Sequence, residues 1–424
     1  MTSPSGGVDG APGPARTGSP ALSLSAGASV LDDARRLAPE AVALRRELHT
    51  WPETGLELPG TQRRVLDSLE GLDLRVCTGR RLSSVVATLT GAADGPTILL
   101  RADMDALPVT EDTGRDFASR TPGVMHACGH DAHTAMLVGA ARLLAERRAE
   151  LAGRVVFMFQ PGEEGHHGAR YMIDEGVLDG VDAAFALHVT PNLPSGALRL
   201  RPGTQMAAAD RVYVTVRGRG GHASAPHTTC DPVPVACEIV LALQTTLTRS
   251  VAPDDAAVLS ITRLSAGTAS GVIPDTAELV GTLRTLVPST RRHLLDAVTR
   301  VAGGVAAAHG ATADVRVEPG YPVTVNDAGF TDFVLRTAAG VLGPESVAVM
   351  PAPPMTAEDF SYVLDSVPGA LAFLGACPPT LSPDRAPSLH SPRVDLDEDV
   401  LAVGIACHAA VALAFASSGR GAGP

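Results

Sequence analysis

Between residues 30 and 205 the apolar positions of the chain change spacing several times. Residues 31–50 put Leu37, Val42, Leu44 and Leu48 at helical intervals, whereas 85–89 and 97–101 are compact apolar runs of strand length. An amphipathic helix is expected over 134–149. The run 155–159 (VVFMF), bounded by Gly153 on one side and Pro161-Gly162 on the other, reads as a buried strand. A helix near 168–176 and a strand over 183–188 follow. Strands that alternate with helices predict an α/β layer on a largely parallel sheet.

Near residue 206 the pattern changes. Residues 210–217 (DRVYVTVR) alternate with period two, as a half-exposed strand does. Then come a glycine-rich turn (Gly218, Gly220, Gly221), a helix over 232–249, strands near 256–264 and 276–286, a helix near 289–309 and a strand over 312–318. That order, β-α-β-β-α-β, is a ferredoxin-like unit complete in itself. The α/β pattern resumes near Tyr321. The expected fold class is therefore mixed α/β, with a largely parallel-sheet main domain and an inserted ferredoxin-like α+β domain. The expected division is a disordered tail (1–29), the first part of the main domain (30–205), the insert (206–320) and the second part (321–418).

Composition narrows the possibilities. A chain of 424 residues is long for one hydrophobic core, which agrees with two domains. The formal net charge of -12 argues against nucleic acid or an anionic membrane as partner. All 34 basic residues are arginine, so chemistry through a lysine Schiff base or a phosphate-loop lysine is excluded. Six scattered cysteines form no short-spaced framework, and 21–30 make a poor signal-peptide core, so a cytoplasmic location is expected. No apolar run is expected to reach the ~20 residues that span a bilayer.

The polar clusters carry the chemistry. Residues 126–133 (HACGHDAH) crowd one thiol and three imidazoles into eight positions, where Cys128 and His130, two apart, can converge on one point. Glu163 and Glu164 follow the 155–159 strand directly, at the end where open α/β sheets place their ligand sites. His188 ends another strand-like run, and His390 sits in a proline-rich loop. Cys128, His130, Glu164, His188 and His390 are the candidate metal ligands. If they meet, the two segments flanking the insert form one domain.

The segments RADMDALP (101–108), HACGHDAHTAML (126–137), QPGEEGHHGARYMI (160–173), ALHV (186–189), GRGGHASAPH (218–227) with Asp231-Pro232, GTLRT (281–285), AEDFSYVL (357–364) and HSP (390–392) resemble, in order, those of the metal-dependent aminoacylase/carboxypeptidase family. Within it the chain looks like the amidohydrolase branch of hippurate hydrolase, N-acyl-amino-acid amidohydrolases and plant auxin-conjugate hydrolases. The resemblance implies two divalent metal ions (zinc, manganese or cobalt) held by Cys128, His130, Glu164, His188 and His390. It also implies Glu163 as general base and His222 reaching from the insert into a neighbouring subunit's site. A homodimer or larger homo-oligomer formed through the insert, and a small-molecule substrate, complete the expectation.

Elementary chemistry fits these roles. A carboxylate bound to a cation stays ionised, so its free neighbour is the one that can take a proton from a water. His222, in a mobile turn, could stabilise an oxyanion. Arg284 at a strand end could pair bidentately with a substrate carboxylate, or be a surface strand residue. Asp105 is expected behind the ligands, orienting a ligand histidine. His166 and His167 could line the substrate pocket or lend metal affinity, but read better as a solvated loop. Gly271 stands where many relatives carry an asparagine that helps bind substrate. The leading activity is hydrolysis of N-acyl amino acids or amino-acid conjugates, and dipeptidase or aminopeptidase action is the alternative. A thiol hydrolase using Cys128 with His130 or His188 leaves Glu163, Glu164 and His390 unexplained. A non-catalytic binding protein would have lost the base or a ligand.

Overall fold

The computed structural model describes residues 24–418. The disordered tail expected over 1–29 lies outside the described residues as far as 23, and its last six residues belong to the first helix. Along the chain, α1 (Leu24–Thr50) and α2 (Pro59–Leu69) precede β1 (Arg75–Thr78), β2 (Val85–Thr90) and β3 (Ala93–Asp103). Next come α3 (His130–Glu146), β4 (Ala152–Gln160), α4 (Gly168–Asp174), β5 (Ala183–Thr190), β6 (Leu198–Leu200) and β7 (Gly203–Met206). They are followed by β8 (Ala208–Arg217), β9 (Gly221–His222), α5 (Pro232–Ser250), β10 (Ala257–Ala266), β11 (Val272–Ile273), β12 (Thr276–Thr285), α6 (Pro288–Ala308) and β13 (Thr312–Pro319). The chain closes with β14 (Thr324–Asn326), α7 (Ala328–Leu342), β15 (Val347–Val349), α8 (Ser361–Leu364), β16 (Gly369–Gly375) and α9 (Val400–Ser418).

The main sheet has the order β1-β2-β4-β3-β5-β16-β6-β15. The β4-β3-β5-β16 centre is parallel throughout. Its strands are mostly apolar because both faces are covered, with Arg101, Asp103, Gln160 and His188 as polar exceptions toward the carboxyl ends. Ile98, Leu100, Val155, Phe157 and Phe185 pack under α1, α3, α7 and α9, while Leu99, Val156, Met158 and Ala184 face α4 and α8. The second sheet, β10-β12-β8-β13, is antiparallel throughout and has the ferredoxin-like strand order. One face buries Val212, Val214, Leu279 and Leu283 against α5 and α6, and this core is separate from the other two. Local chemistry fixes where α5 starts: the Asp231 carboxylate accepts from Val233 N at 2.9 Å, and Pro232 fills a first-turn position that needs no donor.

One expectation fails. Val400–Ser417 is apolar and long enough to cross a membrane, with a mean hydropathy of 2.1. It is 83% buried inside the protein, packed on α1, α3 and α7 as a core helix.

Buried charges tie the end of α1 to the start of α3. Arg45 Nε donates to Asp131 Oδ2 (3.1 Å), and His49 Nδ1 lies 2.8 Å from the same oxygen. His49 Nε2 faces Glu111 Oε1 at 3.3 Å. Burial disfavours a charged imidazole here, but Asp131 and Glu111 prevail and raise the His49 pKa from 6.5 to about 9. A raised pKa means stability that is complete below the unfolded value and lost as pH rises through the folded one. In urea unfolding, stability is expected to fall between pH 6.5 and 9 more steeply for the wild type than for His49→Gln. Equal slopes would show that His49 carries no charge.

Candidate active site

β3 and β4 run side by side to the same sheet edge, with Asp103 opposite Gln160. His188, near the end of β5, is opposite Phe373 of β16. The segments leaving this edge carry Asp105 after β3 and the Glu163-Glu164 pair after β4. Cys128 and His130 are presented from the start of α3, separated by Gly129. That glycine has φ 82°, and a Cβ on it would stand 2.5 Å from Val189 Cγ2, so no other residue makes this bend without displacing β5. His390 arrives from the far end of the sequence. Its φ is 68°, rare for a residue with a side chain, and its N–H is anchored on Ala127 O at 2.8 Å.

These elements bring five donors together. Cys128, His130 and His188 have ligand atoms within 4.8 Å of one another, as do Cys128, Glu164 and His390. Cys128 Sγ is 3.6 Å from His188 Nε2, and His390 Nε2 is 3.2 Å from Glu164 Oε1. His188 Nδ1 faces Val189 O and His130 Nδ1 faces Asp105 O, each at 2.8 Å. A carbonyl only accepts, so Nδ1 is the protonated nitrogen in both rings and the Nε2 lone pairs point into the cluster. His130 Nε2 is buried without a hydrogen-bond partner, a cost of about 1–3 kcal/mol that a cation would remove. This thiol, imidazole and carboxylate set suits zinc and its neighbours.

The electrostatics separate the two glutamates. Burial, then Glu358, Glu164 and Asp359, pushes the Glu163 carboxyl well above the usual carboxylate range. Burial acts on Glu164 in the same direction, but His390 and His130 outweigh it and hold that pKa down. Two adjacent carboxylates with opposed shifts are suited to different tasks. Burial would lower the His130 pKa, yet Asp103 and Asp105 raise it to about 10, so the field here favours positive charge, and a metal ion would bind Nε2 in exchange for its proton. Burial and the neighbouring His133 keep His188 neutral, with a pKa of about 3.

Asp105 does more than expected. Its carbonyl holds His130, while its carboxylate oxygens accept from Glu163 N (2.9 Å) and Glu164 N (3.0 Å). His133 is fully used: it donates from Nδ1 to Asp103 Oδ1 (2.6 Å) and accepts from Val189 N at Nε2 (2.8 Å). Arg101 was not singled out from the sequence, although a charged residue inside an apolar strand is a signal that partners are waiting. It is fully buried and donates to Asp103 (2.6 Å), Glu358 (2.8 Å), Asp359 (3.1 Å) and Gln160 (2.9 Å). Asp359 N in turn faces Glu163 Oε1 at 3.3 Å.

A cavity of about 700 Å³ lies between the two sheets. Cys128, Glu163, Glu164, His188 and His390 line one side, and Arg211, Thr282 and Arg284 the other. Arg284 is half-buried and forms no ion pair among the described residues; burial and Arg211 lower its pKa. His167, for which pocket lining is the second reading beside a solvated loop, lines the cavity with φ 58° and its Nδ1 3.0 Å from Tyr362 Oη. His166 is exposed. His222 does not join the cluster within one chain: it lies exposed on β9, opposite Val272, with Nδ1 2.7 Å from Ser224 Oγ.

A largely parallel sheet with a donor-rich, carboxylate-lined cleft at its carboxyl edge defines a metal-dependent hydrolase. The chain belongs to peptidase family M20/M25/M40, whose model matches residues 99–414. It is 38% identical to thermostable carboxypeptidase 1 of Saccharolobus solfataricus, covering 91% of this chain and 98% of that one. It is 39% identical to the N-acetylcysteine deacetylase of Bacillus subtilis, covering 85% and 93%. Its structure is similar to that of the Bacillus subtilis YXEP protein, a dinuclear metal binding peptidase of the M20 family, with a TM-score of 0.78, 36% identity and coverage of 89% and 98%.

Arg101→Ala would leave three carboxylates buried without their counter-charge. We expect it to destabilise the protein by about 3–5 kcal/mol in denaturant unfolding. A loss below about 1 kcal/mol would mean that Asp103, Glu358 and Asp359 are neutral or hydrated.

Proposed function

We propose that the protein is a two-metal amidohydrolase that cleaves N-acyl amino acids to a carboxylic acid and a free amino acid. The observation that carries this reading is the pairing of Glu164, held beside His390 with its pKa lowered, with the adjacent Glu163, whose carboxyl lies within 4.8 Å of the His130 and Glu164 ligand atoms yet has its pKa raised. Cys128, His130, Glu164, His188 and His390 would hold the two ions. Zinc, manganese and cobalt all suit this set. Two such cations, when bound, would lower the pKa of the attacking water and polarise the amide carbonyl. Glu163 takes the proton of that water and passes it to the leaving amine, a task its raised pKa favours.

Arg284 faces the cavity with its charge uncompensated, which suits a substrate α-carboxylate. The acidic residues that face the same space are already engaged: Asp210 with Arg291 (2.7 Å) and Glu318 with Arg211 (3.5 Å). A free substrate amine, which a dipeptidase must bind, therefore finds no uncommitted carboxylate on that side. A thiol mechanism is disfavoured because burial and then Glu164, Glu163 and Asp103 push the Cys128 thiol well up, opposite to what a nucleophile needs.

The exposed His222 fits a role in the site of a second copy. Leu241 on α5, with Val258 and Leu264 on the edge strand β10, offers exposed apolar surface for a homodimer. All six cysteines are free, which suits a cytoplasmic location.

Hydrolysis of N-acetyl amino acids and hippurate is expected to stop in chelator and return with zinc, manganese or cobalt. Glu163→Ala should lower kcat by roughly 10²–10⁴-fold while the protein keeps its metal. Activity that survives chelation would refute the reading. Arg284→Gln should raise KM at least tenfold for substrates with an α-carboxylate and leave kcat within a fewfold; an unchanged KM would remove Arg284 from the substrate site.

A further inference from the structure

Tyr321 stands where the chain crosses back from the four-stranded sheet to the main one. Its carbonyl accepts from Ala209 N (3.1 Å), next to the outward crossing. Its hydroxyl lies within the turn that carries the glutamates, donating to Glu163 O and accepting from Gly165 N (2.6 Å). The phenol is matched to this place: one O–H for a carbonyl, one lone pair for an N–H. Burial and the charge of Glu163 raise its pKa, so the donor proton stays on. The ring is buried and packs edge-on to His167, with centroids 5.0 Å apart.

The other end of the link is equally constrained. A Cβ on Gly320 would stand 2.0 Å from Ala209 O, so the two crossings are in backbone contact. Gly320 N donates to Asp210 (3.3 Å), and Asp210 is gripped by both Nε (2.8 Å) and Nη2 (2.7 Å) of Arg291 on α6. A continuous path of contacts thus runs from α6 through Asp210 and Gly320 to the Tyr321 hydroxyl and the Glu163 peptide.

We infer that Tyr321 is a positioning residue: through its hydroxyl, the placement of the four-stranded sheet over the cavity sets where the Glu163-Glu164 turn stands. The inference rests on the reading of Glu163 as the base. Misplacement of such a group by about 1 Å can cost roughly 100-fold in rate.

The test uses the full-length, zinc-loaded protein with N-acetyl-L-methionine and hippurate as probes, and hydrogen–deuterium exchange of the peptide spanning 160–168. Tyr321→Phe is expected to lower kcat by roughly 10–100-fold with KM within about twofold, and to speed exchange of that peptide. Tyr171→Phe, which removes a partly exposed hydroxyl on α4 that makes no hydrogen bond to the turn, should do neither. Arg291→Met should lower kcat in the wild-type background and add little to Tyr321→Phe, because both act through one link. Wild-type kcat and wild-type exchange in Tyr321→Phe would overturn the inference. Full additivity with Arg291→Met would overturn the coupling to the sheet. A Glu163→Ala variant that stays active would sink the base assignment instead, and exchange at 160–168 would still decide whether Tyr321 holds the turn.

Discussion

The Arg101 guanidinium carries a full positive charge into the middle of the main sheet, where it has no water to solvate it. It is held there by Asp103 two residues away and by Glu358 and Asp359 more than 250 residues on. An isolated charge at such depth costs several kcal/mol, and only this set of partners repays it. The interaction therefore does topological work: it joins the segment before the insert to the segment after it. It also gathers Glu358 and Asp359 beside Glu163. Burial and these neighbours raise the proton affinity of Glu163.

From this centre the site is built outward by single hydrogen bonds with one task each. Asp105 holds the backbone of both glutamates, Val189 O and Asp105 O fix two imidazole tautomers, and Asp103 with Val189 N immobilises His133. None of these residues need touch a substrate. Together they spare the reacting groups the cost of reorganising when the substrate arrives. The cavity is completed by the second sheet, so its width depends on how that sheet sits, and the contacts of Tyr321 and Asp210 lie at the joint.

Much of this was legible in the sequence where the signal is local. The strands from 85 to 190 announce themselves as apolar runs, because a sheet covered on both faces needs no polar positions. The elements of the four-stranded sheet show period two because one of its faces is wet. The region after Tyr321 was less legible. α9 is apolar on every side, so it has no helical stripe, and β16 is a seven-residue run buried throughout. The five candidate donors were visible as unusual residues at strand and loop ends, and the fold places their ligand atoms together. What the sequence hid were pairings between distant positions: Arg101 with Glu358 and Asp359, Tyr321 with Glu163, and the backbone role of Asp105. Of the two readings open for His167, pocket lining is the one the fold shows, and its facing depends on a left-handed backbone angle that residue type does not reveal.

The central claim is that five side chains hold two ions while Glu163 holds none. Metal content after equilibrium dialysis against zinc tests it most directly. The account predicts two ions per chain for the wild type and for Glu163→Ala, and fewer than two for His188→Ala and for His390→Ala. Loss of an ion from Glu163→Ala, or two ions retained by both histidine variants, would contradict it.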